Sequence, residues 1–328
     1  MHRTTALLLI LAVMGAGWGL TQPLSKIAVS EGYRHFGLVF WQLALGAIVL
    51  GVFRCFDLRK SMPGNGKSSP RLRLRWPTLR LDAAALRVYI LIALIGTVLP
   101  NSASYEAIRH LPSGLVSILL SLVPMFAFPI AMALGNERFE FPRLLGLLLG
   151  LAGVLLIVMP EASLPERAMV AFIPLALIAP FFYGLEGNVV AKWGTAGLSP
   201  VDVLYGASVS GALIALPLAL MSGQFIDPRP PWSPPDLAIV LAALIHVFVY
   251  AAYVWMVGVA GPIFAVQVSY LVTGFGVLWA ALILGESYSG WIWGAMALIL
   301  TGVFLVQPRH EDPLAVDDRP DTIDGRSR

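Results

Sequence analysis

Ten apolar stretches, separated by short polar or proline-containing breaks, run along the chain. They cover approximately Thr5 to Val29, Phe36 to Phe56, Leu86 to Ile108, Ser113 to Leu134, Leu144 to Met159, Met169 to Ala191, Pro200 to Met221, Asp236 to Val259, Ile263 to Leu284 and Trp291 to Val306. Each is near the ~20 residues that a helix needs to cross ~30 Å of hydrocarbon. Pro112 and Pro262 divide the third span from the fourth and the eighth from the ninth, because proline lacks an amide proton and disfavours helix in the residue before it. Pro23, Pro100, Pro124, Pro129, Pro174, Pro180 and Pro217 lie within spans, which predicts bent helices whose freed carbonyls are satisfied by neighbours.

Polar residues inside these spans recur at helical spacing. Trp18, Thr21, Gln22 and Ser25 share a face of the first, and Thr97, Asn101, Ser104 and Tyr105 a face of the third. His246, Tyr250 and Tyr253 line the eighth, Ser113, Ser117 and Ser121 stack on the fourth, and Gln267 and Tyr270 begin a face on the ninth. Polar side chains in a membrane span turn toward a bundle interior or a wet cavity. Either they line one polar cavity among spans one, three, four, six, eight and nine, or they serve as interhelical hydrogen bonds worth ~0.6 kcal/mol each.

The chain also repeats itself. Glu137, Gly153, Val154 and Leu156 recur 149 residues later as Glu286, Gly302, Val303 and Leu305. Ala93-Leu94-Ile95, Pro112 and Leu134-Gly135 recur at a spacing of 150 as Ala243-Leu244-Ile245, Pro262 and Leu284-Gly285. Trp18-Gly19-Leu20 is answered by Tyr183-Gly184-Leu185, 165 residues on, the difference being a longer loop in the first half. Each half is thus a five-helix unit. Five is odd, so corresponding helices cross in opposite senses, and the halves are inverted repeats about an axis in the membrane plane.

Composition sharpens this reading: 58% of residues are hydrophobic and 12% charged, about half the charge of a soluble domain. Of the 22 basic residues, seventeen fall on one side if the amino terminus is cytoplasmic. Arg34, Arg109, Arg167 and Arg229 are on the other side, with Lys26 near the outer end of the first span. Both termini are therefore expected in the cytoplasm. The basic stretch Arg71 to Leu81 reads as a topology anchor rather than a nucleic-acid segment, and the acidic tail 309–328 as disordered. A cleaved signal peptide is rejected, because Trp18-Gly19-Leu20 belongs to the repeat. Cys55 is the sole cysteine, which excludes a disulfide framework.

Two five-helix halves, a first span carrying WGLTQPLSKIAV, Pro124 ahead of LGNERF and a glycine-spaced fifth span resemble the EamA-type branch of the drug/metabolite transporter superfamily. The resemblance covers Thr5 to Pro308. It departs at Gly274, which stands where the first half has Pro124, and at Glu186 and His246, which are less apolar than the family's pattern. It implies an all-α integral membrane protein with ten transmembrane helices: a first repeat at 1–159 with its basic loop at about 57–85, a second at 160–308, and the tail. It also implies a secondary transporter of the bacterial inner membrane, an exporter of amino acids or other small metabolites.

The expected substrate-binding or coupling residues are Trp18, Gln22, Asn101, Tyr105, Glu186, His246, Tyr250, Gln267 and Tyr270. His246, deep in its span, is a proton carrier, a substrate ligand or a satisfied core histidine. Glu186 has the same roles open to it, or a pairing with Lys192. Glu137 and Glu286, at span ends, read as helix-terminus contacts, Lys26 as reaching to the headgroups, and Glu106 with Arg109 as an interfacial ion pair. Glycines 146, 150 and 153 with 290 and 294 give small-residue spacing for close packing, within one chain or in a homodimer.

The expected partners are a small-molecule substrate, membrane lipid and protons as coupling ion, without nucleic acid and without a cofactor. The chain lacks H-E-x-x-H, nucleophile-elbow and P-loop signatures, against an intramembrane enzyme. No charge ring or filter repeat marks a passive channel.

Overall fold

The structure is a computed structural model and describes residues 2–57, 73–74, 78–260, 264–265 and 267–306. Most of the basic loop, Pro262 and the 309–328 tail lie outside the described residues. Among the described residues the regular structure is helical apart from a two-residue antiparallel pairing of Phe56–Asp57 (β1) with Arg73–Leu74 (β2). Eight helical stretches among the described residues are long and apolar enough to cross a membrane, and two further apolar helices have 17 residues each.

The elements follow the hydrophobic pattern, with breaks where the backbone chemistry demands them. α1 (His2–Ser30) and α2 (His35–Cys55) are continuous. α3 (Ala83–Ala93) starts at Asp82, whose carboxylate accepts from the amides of Ala84 and Ala85 at 3.2 and 3.1 Å. This satisfies donors that a helix start leaves open. A π turn over Leu94–Val98, marked by Leu99 N–H donating to Leu94 O, joins α3 to α4 (Leu99–His110). The third span breaks from the fourth at Leu111 and Pro112, both extended. The fourth is itself divided just ahead of Pro124 into α5 (Ser113–Leu120) and α6 (Val123–Leu134).

Then come α7 (Phe141–Val158), a 3₁₀ turn over Arg167–Phe172, α8 (Ile173–Trp193), α9 (Pro200–Met221), α10 (Pro234–Ala260), α11 (Val268–Leu284) and α12 (Gly290–Val306). The repeated Leu-Gly is a helix stop. Gly135 and Gly285 adopt φ of 75° and 67°, a left-handed turn that closes α6 and α11 and that glycine takes without steric penalty.

Packing carries the repeat into three dimensions. α1 packs on α10 and α11, and its counterpart α8 packs on α4 and α6. α7 runs against α12 through the glycine stripe. A Cβ on Gly302 would stand 2.5 Å from the Gly146 carbonyl oxygen, and one on Gly153 3.0 Å from that of Ala295. These two contacts exchange under the 149-residue repeat, since Gly153 corresponds to Gly302 and Gly146 to Ala295. A contact that maps onto itself is the signature of a two-fold relation. The stripe is therefore used inside one chain, while Leu148, Leu151 and Leu155 of α7 face outward.

Helix ends sort into two sets. At one end, here the Lys26 end, Tyr33 meets Asp236, Gln224 meets Phe36, and Glu286 meets Ser113. At the other, the Lys192 end, Arg54 meets Asp202, Asn136 meets Asn188, and Lys192 meets Leu134. Each of these pairings joins residues at or near neighbouring helix ends.

Candidate functional site

A cavity of about 550 Å³ lies where the two halves meet, within the ~300–1,000 Å³ typical of small-ligand sites. From the first half, α1 contributes Trp18, Thr21, Gln22 and Ser25, and α4 contributes Asn101, Ser104 and Tyr105. From the second, α8 contributes Tyr183 and Glu186, and α10 contributes His246, Tyr250 and Tyr253. Helical spacing grouped the residues of α1, α4 and α10, because side chains three and four apart stand above one another; it gave no face for α8.

Seven of the nine expected residues, Trp18, Gln22, Asn101, Tyr105, Glu186, His246 and Tyr250, line this one space. Gln267 and Tyr270 do not. The cavity face of α11 is Val268, Ser269, Val272 and Thr273, while Gln267 forms the helix start and Tyr270 packs against the apolar core. Successive helical residues are ~100° apart, so reading the ninth span one position out of phase turned the face away. Thr97 is displaced for a related reason. It lies in the π turn, whose extra residue rotates the side chains before it relative to Asn101 and those after.

Hydrogen bonds order one wall. The Gln42 side-chain oxygen accepts from Asn101 Nδ2 at 2.9 Å and from the Tyr105 hydroxyl at 3.0 Å. The Tyr183 hydroxyl donates to Asn101 Oδ1 at 2.6 Å. Gln42 was missed because it is an isolated polar residue in the second span, and Tyr183 because it entered only as the counterpart of Trp18. Among the aromatic lining residues, the Trp18 ring lies 5.7 Å from Tyr253 and 6.4 Å from His246, and His246 lies nearly parallel to Tyr250 at 6.5 Å. Ser117 and Ser121 also line the space, but their hydroxyls donate to backbone carbonyls of their own helix.

Glu186 is seated by the π turn. A Cβ on Gly96 would stand 2.5 Å from Glu186 Oε1 and 2.9 Å from Oε2, so a side chain at position 96 is incompatible with this placement. Lys192 does not pair with it: Lys192 Nζ donates to Leu134 O at 2.8 Å. Among the described residues no lysine or arginine lines the cavity.

At the Lys26 end, helix ends are tied together by charged side chains. Lys26 Nζ, expected among headgroups, instead donates to the carbonyls of Ile108, Arg109 and Leu111 at 2.7, 3.3 and 3.0 Å. The break at Pro112 leaves those carbonyls without helical partners. Glu286 accepts from the Ser113 amide and hydroxyl at 2.8 Å each, from the Gly114 amide at 3.1 Å and from the Tyr288 hydroxyl at 2.7 Å. A carboxylate is favoured at such a helix start, where backbone amides are left without partners. Outside the spans, burial and the adjoining Glu286 carboxylate hold the Tyr288 hydroxyl well above its ordinary pKa. Glu106 meets Arg109 at 3.3 Å and His35 at 3.2 Å.

Comparison with known proteins follows the same division. The family model described as the EamA-like transporter family matches residues 4–159 and again 171–307. One solved crystal structure, 18% identical, covers 92% of this chain and 97% of its own at a TM-score of 0.55, which shows a shared fold. No curated protein matches the sequence.

Proposed function

The chain belongs to the EamA-like transporter family, and from that premise we propose that it is a secondary active transporter that exports small metabolites such as amino acids by alternating access. In this reading ten helices cross the membrane as two inverted units, residues 1–159 and 160–308, with the 309–328 tail and both termini in the cytoplasm of a bacterium. The cavity is the substrate site, and protons are the coupling ion. The observation that supports it is a polar cavity walled by both repeats, with helix ends tied together at the Lys26 end. Rocking one unit against the other would open one end and close the other without rebuilding the site.

The test is transport. Metabolites that accumulate outside overexpressing cells and not outside deleted cells identify the substrate, which is then offered to proteoliposomes under an imposed pH difference. Uphill movement of unchanged substrate is expected. Downhill leakage alone would indicate a channel, and recovery of altered substrate an enzyme. His246→Gln retains hydrogen bonding but not titration, and is expected to abolish uphill movement while leaving substrate binding. Full concentrative transport with unchanged pH dependence would remove His246 from coupling.

A further inference from the structure

Charge is distributed unevenly around the cavity. Among the described residues, Glu186 and the imidazole of His246 are the titratable groups other than tyrosine that line it, and no lysine or arginine does. The other carboxylates near helix ends have partners: Glu286 has a helix start, Glu137 has Arg143, and Glu106 has Arg109. Among the described residues Glu186 has no hydrogen bond or ion pair. It is held in the wall by close approach to Gly96, on a π turn of the kind that clusters at functional sites. A carboxylate taken out of water needs a cation or several donors. The nearby donors Asn101 and Tyr183 are already committed to Gln42 and to each other.

From this we infer that the cavity takes a small organic monocation, an ammonium on an apolar body, with Glu186 as its counter-charge. The inference rests on the transporter reading and narrows it, because it excludes free zwitterionic amino acids as the preferred ligand. An α-carboxylate entering this cavity would find no guanidinium or ammonium to meet it, and an unpaired buried charge is strongly disfavoured. Two features favour the ammonium beyond its charge. The rings of Trp18, Tyr250 and Tyr253 line the same space, and aromatic rings attract a cation through the ring quadrupole. The hydrogen-bonded group of Gln42, Asn101 and Tyr183, closed on itself, offers an ordered polar surface that needs no charge from the ligand.

The experiment uses three probes of one shape and different charge, namely 2-phenylethylamine, phenylalanine and phenylacetate, near neutral pH with the full-length purified protein. Equilibrium binding of the amine is expected to be at least tenfold tighter than that of phenylalanine, with phenylacetate weakest. Glu186→Gln is expected to lose at least tenfold in amine affinity while keeping the wild-type melting curve. Should the variant fail to fold, the three-probe ranking on the wild type still decides the matter. Phenylalanine or phenylacetate binding as tightly as the amine, no binding of any probe, or undiminished amine binding by Glu186→Gln would each overturn the inference.

Counterflow in proteoliposomes separates this from the transporter reading. Amine binding without exchange overturns transport and leaves the charge assignment standing. Exchange of phenylalanine that is indifferent to Glu186→Gln overturns the charge assignment and leaves transport standing.

Discussion

Glu286 and Glu137 occupy the same place in the repeat and do different things. At the Lys26 end, Glu286 sits on the first turn of α5 and ties it to the start of α12. At the Lys192 end, Glu137 turns to Arg143, 3.0 Å away, whose Nε also lies 3.1 Å from Glu140 and whose guanidinium lies over Phe128. The residues around the two acids explain the divergence. Gly114, which lets α5 approach the Val277 backbone, is answered 150 positions later by Phe264. Tyr288, bonded to Glu286, is answered by the exposed Phe139, and buried Ile292 by buried Arg143. The repeat copies the helices and their stops, whereas the side chains at each end decide which end is drawn together. An internally symmetric chain can thus hold an asymmetric state.

The largest effect expected from breaking this contrast is at Gly114. A Cβ there collides with the Tyr288 hydroxyl and comes within 3.2 Å of Val277 Cα, a backbone atom that cannot swing aside. Gly114→Val should destabilise by about 3 kcal/mol. Gly274→Ala, on the neighbouring helix with no atom within 4 Å of the new methyl, should be neutral or gain up to ~1 kcal/mol from helix propensity. Melting curves of both variants in the same detergent check this. Equal melting temperatures would mean that close helix contact does not hold the Lys26 end together.

Next in size is the lysine pair. Lys26 holds three carbonyls and is half-buried, whereas Lys192 holds one and is exposed. Lys26→Met keeps the length of the stem and removes the donors, so three carbonyls lose a charged partner and about 2–3 kcal/mol should be lost. Lys192→Met should cost less than about 1 kcal/mol, as solvent replaces its single bond. Similar losses at both would erase the difference between the ends. A larger loss at Lys192 would reverse it.

Hydropathy located the ten apolar segments because desolvating backbone polar groups dictates helices wherever lipid is the solvent. Helical spacing located the cavity faces of α1, α4 and α10, since each has three or more polar residues that fix its phase. It failed on α11, where two residues, Gln267 and Tyr270, were too few to set a phase. Gln42 had no polar neighbour at i±3 or i±4 in its span to declare a face. The π turn left no mark in LIGTV that distinguishes it from α-helix, and its contact with Glu186 through Gly96 joins residues 90 positions apart that no local pattern connects. The three-carbonyl grip of Lys26 was equally hidden, since it depends on where the Pro112 break sets down the end of α4.

The smallest expected effect belongs to the strap that joins the α1–α2 loop to α10 at the Lys26 end. The Tyr33 hydroxyl donates to Asp236 Oδ1 at 2.7 Å, and Asp236 also accepts from the Ser233 amide at 2.8 Å. Burial, reinforced by the Asp236 carboxylate, pushes Tyr33 up from its ordinary 10.0 to about 12. The folded protein therefore keeps this proton where the unfolded chain has released it. The stabilisation is fully present below pH 10.0 and is lost as pH rises toward about 12, because there the unfolded state binds fewer protons than the folded one. Tyr33→Phe should lower stability by about 1 kcal/mol near neutral pH, the worth of one hydrogen bond, and should flatten the alkaline part of the profile. The same scan on Arg54→Met, which breaks the 2.8 Å pair with Asp202 at the other end, should leave that alkaline slope in place and instead reduce the dependence of melting on salt. A Tyr33→Phe profile that still falls between pH 10.0 and about 12 with the wild-type slope would assign the alkaline loss to another tyrosine and remove the strap from the contrast between the two ends.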